Sequence, residues 1–69
     1  MPLTFAQLGE EYEIQRIGGL PEVKKHLGNL WFVTGTKITV INSLAGNLIV
    51  RVRDVEIAIG KEMASKIFV

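Results

Sequence analysis

Alternation of apolar and polar residues with a period of two dominates the second half of the chain. Thr36, Ile38 and Val40 share one face of Thr36–Ile41. Leu48, Val50 and Val52 oppose Arg51 and Arg53 in Leu48–Arg53, and Val55, Ile57 and Ile59 line one face of Val55–Ile59. Period-two patterning predicts half-buried strands. Asn42-Ser43-Leu44-Ala45-Gly46-Asn47 supplies residues for a hairpin loop, and Arg53-Asp54 leaves room only for a tight turn. Gly60 and Lys61–Ala64 interrupt the run, and Ile67-Phe68-Val69 makes a last strand.

The first half is more mixed. Thr4 and Gln7 stand in capping-box positions for a short helical turn that Gly9 ends, with Phe5 and Leu8 inward. Glu10–Ile17 reads as a strand with Tyr12 and Ile14 on one face, bulged or bent at Arg16-Ile17 before Gly18-Gly19. Leu20–Leu30 is the one convincing helix. Pro21 suits its first turn, and Leu20, Val23, Leu27 and Leu30 recur at spacings of three and four. The apolar loop Trp31–Gly35 follows. Five short strands with one helix inserted after the first predict an all-β, β-rich fold. Rolling such a sheet into a small barrel hides its edges and encloses a core. Residues 1–69 make a single domain, with no repeat or linker.

Charge narrows the function classes. Eight Lys/Arg against seven Asp/Glu leave a net charge of +1, too balanced for a strong electrostatic claim on nucleic acid or an acidic membrane. The chain has no cysteine, which excludes disulfides and thiolate metal sites. No basic, apolar leader opens the chain, and no apolar run approaches the roughly 20 residues that span a bilayer. The expectation is a cytoplasmic protein without direct membrane insertion.

The parts for catalysis are missing. Ser43, Ser65 and the single His26 lack the setting of a nucleophile and its base. Glu22 and His26, four apart on the helix, offer two ligands for a metal ion, fewer than a structural site uses. Glu10, Glu11 and Glu13 read as solvated charges. Gly18-Gly19 precedes a helix without the Lys-Ser/Thr ending of a phosphate loop and reads as a bend. Neither an enzyme nor a bound cofactor is expected. Lys37, Arg51 and Arg53 offer a face to nucleic acid, although the acids around them favour a solvated barrel wall.

Trp31 and Phe32 stand out among few aromatics. Two adjacent aromatics in a loop do not both fit a small core. Phe32, with Val33, is expected inward. Trp31 is left either as an interface residue or as a flat lid over the barrel.

The stretch Leu27-Gly28-Asn29-Leu30-Trp31-Phe32-Val33-Thr34-Gly35-Thr36 resembles the helix-to-strand signature of the FeoA family, small cytosolic accessories of bacterial ferrous iron transport. That signature runs Leu, two residues, Leu-Gly, an apolar pair, then Pro-Gly-Thr. Leu44–Leu48, Ile49–Arg53 and Ile57–Ala64 follow in the family's order, so the resemblance covers nearly the whole chain. It implies an SH3-like barrel that assists the FeoB membrane transporter by protein–protein contact, on the transporter's cytosolic portion. A similar barrel ends the iron-dependent repressors, so a regulatory metal-sensing domain using Glu22 and His26 is one alternative, and a nucleic-acid-binding barrel is another. The chain departs from the signature at Trp31, where the family has Gly, and at Thr34, where it has Pro. If that Gly serves a positive φ, Trp31 either accepts strain or changes the loop. Leu30, Trp31, Phe32, Val33 and Thr34 are the expected partner-binding residues, toward the transporter or, in self-association, a second copy.

Overall fold

The computed structural model describes residues 1–69. A 3-10 turn, Leu3–Phe5, leads into β1 (Glu11–Glu13) and β2 (Arg16–Ile17). Helix α1 (Pro21–Asn29) precedes three longer strands, β3 (Lys37–Leu44), β4 (Asn47–Val52) and β5 (Val55–Gly60). A single helical turn, α2 (Lys61–Ala64), and β6 (Ile67–Phe68) complete the chain. The strands form an antiparallel four-stranded sheet in the order β1-β3-β4-β5 and a two-stranded sheet pairing β2 with β6.

The expected first strand is therefore two strands, and the bend lies earlier than Arg16-Ile17. Up to Ile14 the backbone bonds to the β3 side: the Ile14 N–H donates to the Thr36 carbonyl, and the Gly35 N–H to the Ile14 carbonyl. From Gln15 it bonds to the β6 side, through the Phe68 and Lys66 carbonyls. One segment thus turns the corner between two sheets that wrap a common core without closing into a continuous barrel.

Twelve apolar residues fill that core, and no polar side chain is buried with them. Ile38 and Val40 from β3, Leu48, Val50 and Val52 from β4, and Ile59 from β5 supply the wall that alternation predicted. Leu27 from α1 and Phe32 just beyond it close one side, and neither has any exposure. Tyr12, Val23, Leu30 and Ile57 pack around the rim.

Several expectations fail at the periphery. Leu3 is buried while Phe5 and Leu8 face solvent, because the turn is a 3-10 turn with no side-chain cap on Pro2 rather than a Thr4-capped helix. Leu20 is the residue preceding α1 and lies exposed. Val55 begins β5 at its turn, beyond reach of the core, and is exposed. The expected loop at Asn42–Asn47 shrinks to Ala45-Gly46, both at positive φ, and β3 extends to Leu44. A bulge between Val40 and Asn42 absorbs the extra residue.

Candidate partner-binding site

The helix end builds the site. The Phe32 N–H donates to the Leu27 carbonyl and the Trp31 N–H to the Gly28 carbonyl, both at 3.0 Å. This paired bonding is the Schellman motif, which needs a left-handed residue just past the helix, most often Gly. Trp31 occupies that position with φ 71°. The backbone keeps the loop that Gly would make and accepts the strain, roughly 1–2 kcal/mol for an L-residue.

Inverting φ at Trp31 sends consecutive side chains apart. Phe32 turns into the core with no exposure, whereas Trp31 is 52% exposed. Val33 was expected to follow Phe32 inward. It stays outside at 45% exposure because the chain turns at once. The Thr36 N–H reaches the Val33 carbonyl, with Gly35 at φ 92° in the third position. A turn with positive φ there favours Gly at that place and Pro before it. Thr34 therefore stands where Pro would preset the turn.

A second left-handed pair meets Trp31 from the sheet. Arg53 (φ 53°) and Asp54 (φ 64°) form the two-residue turn between β4 and β5. Both residues have the positive φ that Asn and Gly usually supply in such turns. The turn carries Arg53 off the strand face it was expected to share with Arg51. Its guanidinium carbon lies 4.4 Å from the centroid of the Trp31 ring. That is well within cation–π range, and an exposed pair of this kind contributes about 0.5–1 kcal/mol. Arg53 thus covers one face of the Trp31 ring. Val55, two residues past Arg53, adds exposed apolar surface at the same turn.

The five expected residues separate by orientation. Trp31, Val33 and Thr34 face solvent, and Leu30 is half-buried against the core. Phe32 is withdrawn from the expected site, because a side chain with no exposure cannot touch a partner. Arg53 joins the site although sequence reasoning had placed it elsewhere. The one signal was that Arg53-Asp54 had to be a tight turn.

Lys37 pairs with Glu13 at 3.2 Å and Arg51 with Glu56 at 2.7 Å, and Arg53 is on Trp31. Each of the three cations weighed for nucleic acid thus has a partner within the chain, at solvent-exposed positions. Glu22 and His26 are exposed on α1, and no three His, Asp or Glu side chains converge. Ser65 donates its hydroxyl to the Glu62 carbonyl at 2.6 Å, while Ser43 lies on β3.

Comparison with known proteins follows the same outline. The model of the FeoA domain matches residues 1–69. The chain belongs to the FeoA family. It is 34% identical over 68 residues to a Methanocaldococcus jannaschii protein named "Putative Fe(2+) transport protein A", covering 99% of this chain and 83% of that one. A crystal structure of an iron uptake regulatory protein, FeoA, superposes with a TM-score of 0.89 at 26% identity, over 97% of this chain and 91% of that one. A manganese-dependent transcriptional repressor contains the same fold across 40% of its length, with a TM-score of 0.88 over all of this chain. At 18% identity that last likeness concerns the fold alone. The SH3-like barrel implied by the resemblance is the fold found, with its two sheets left open. Where the FeoA signature has Gly, Trp31 stands on a left-handed backbone and presents an exposed indole.

Proposed function

We propose that this chain is an accessory protein of ferrous iron uptake that acts by docking onto the cytosolic portion of a FeoB-type transporter. Family membership and the relative named for Fe(2+) transport support the process. The observation that carries the docking surface is Trp31, half exposed on strained backbone and braced by Arg53. Left-handed non-Gly residues persist where surrounding structure enforces them, and they cluster at functional sites. Exposed Trp and Arg are also the residues that most often anchor protein interfaces. Trp31, Val33, Thr34 and Arg53 form the contact surface, with Leu30 and Phe32 supporting it from below.

This reading makes the protein a binding module rather than an enzyme, and it places the chain in the cytoplasm, where the transporter's soluble portion lies. No helix is long and apolar enough to cross a membrane. Calorimetry of the purified chain with the transporter's cytosolic portion tests the proposal. Loss of a central aromatic anchor commonly costs 2 kcal/mol or more, so Trp31→Ala is expected to weaken binding about 30-fold or more. Lys25→Ala, on the polar face of α1, should change it little. Binding by Trp31→Ala at parental affinity would place the interface elsewhere.

A further inference from the structure

The two edges of the four-stranded sheet differ in kind. At one edge β1 is three residues long and carries Glu11 and Glu13, with Glu10 just before it. A short, charged strand is a common device against edge-to-edge pairing. At the other edge β5 runs six residues, Val55-Glu56-Ile57-Ala58-Ile59-Gly60, in unbroken register with β4. It has no Pro, no Lys and no bulge. Its one charge, Glu56, is bound by Arg51 at 2.7 Å.

Strand register says which backbone groups β5 leaves free. The Arg53-Asp54 turn makes Val52 and Val55 the closing hydrogen-bonded pair of the hairpin. The backbone groups of Val55, Ile57 and Ile59 therefore point to β4, and those of Glu56 and Ala58 point away. No turn, loop or cap bonds to Glu56 or Ala58. Val55 is 53% exposed and Ile57 half-buried along the same edge.

We propose that β5 pairs antiparallel with β5 of a second copy of this chain about a two-fold axis at Ile57, joining two sheets into one of eight strands. The choice of a second copy rests on self-complementarity. With the axis at Ile57, Glu56 and Ala58 face the partner's Ala58 and Glu56, and their free N–H and carbonyl groups form four hydrogen bonds. Ile57 meets the partner's Ile57, and Val55 meets the partner's Ile59. An axis at Glu56 would set like charges directly opposite, which is destabilising. An axis at Ala58 would set Glu56 against Gly60, where the chain already leaves the strand for α2. Pairing β5 with the acidic β1 of another copy would be head-to-tail and would not close unless a ring formed. The contact is narrow, so the dimer should be weaker than the micromolar limit seen even for interfaces of about 1,600 Å².

The chain has no cysteine, so a single introduced one reports the register. Ile57 and its symmetry mate form a non-hydrogen-bonded pair with Cα atoms about 4.5 Å apart, within disulfide range. Ile57→Cys should oxidise to a covalent dimer at least about 10-fold faster than Val55→Cys, even though Val55 is the more exposed residue. Ala58→Pro, which removes an outward N–H that β4 does not use, should abolish association of the otherwise unmodified chain. Thermal melts confirm that each variant is folded. Three results would overturn the proposal: sedimentation of the parent as a monomer up to ~1 mM, equal or faster crosslinking of Val55→Cys, and growth beyond a dimer.

Discussion

Trp31→Gly and Trp31→Ala separate backbone strain from side-chain contact at one position. Both variants lose the indole, its stacking on Arg53 and the surface it covers, roughly 1–3 kcal/mol together for a half-exposed aromatic. They differ at Cβ. Alanine keeps it at a φ of 71°, where an L-residue is penalised by roughly 1–2 kcal/mol, and glycine does not. Glycine returns part of that gain through the greater freedom of its unfolded chain. The net expectation is that Trp31→Gly is more stable than Trp31→Ala by about 1 kcal/mol. For a domain of this length that corresponds to a melting temperature about 4–8 °C higher. Thermal melts by circular dichroism at one pH and concentration measure the difference. Binding to the transporter's cytosolic portion should fall alike in both, since the lost anchor is the same. Equal melting temperatures, or a lower one for glycine, would refute the claim that Trp31 is held under strain. Restored binding in the glycine variant would refute the role of the indole.

Other changes test the core, the turn and the metal reading. Val50→Asp places an unpaired carboxylate at a site with no exposure and should abolish the cooperative melt of so small a domain. Thr34→Pro should raise stability by about 0.4–1 kcal/mol, because the Thr34 N–H bonds to no backbone carbonyl and the turn before Gly35 suits a fixed φ; denaturant midpoints would register it. Titration with Fe(2+) or Zn(2+) should find only weak two-ligand chelation at Glu22 and His26. A tight one-to-one isotherm lost in His26→Ala would reverse that reading.

The barrel wall was legible because its cause is local. Alternation in β3 and β4 assigns Ile38, Val40, Val50 and Val52 to one side wherever the strands pair, and all four are buried. The ends of the chain obeyed no such rule. Phe5 and Leu8 have helical spacing, but a 3-10 turn buries Leu3 instead, and only contact with the finished barrel decides that. The corner at Ile14-Gln15 was visible only as a break in pattern, since its position depends on where β3 ends and β6 begins. The site was half legible. Adjacent aromatics announced that both would not fit the core, and Phe32 was the one expected inside, with Trp31 left open between an interface residue and a lid. Arg53 was not legible as its neighbour. The pair exists because two left-handed segments, 22 residues apart by their numbers Trp31 and Arg53, end face to face.

The chain's one tryptophan therefore lies on the surface beneath a guanidinium, while the packed interior holds Phe32 and no indole. Its fluorescence is a reporter of the surface rather than of the core. Unfolding carries the ring only from half-wet to wet, so the emission maximum should move little across the melt. Docking that dries the ring should shift the emission to the blue and shield it from iodide. A partner that settles anywhere else on the barrel would leave the spectrum as it was.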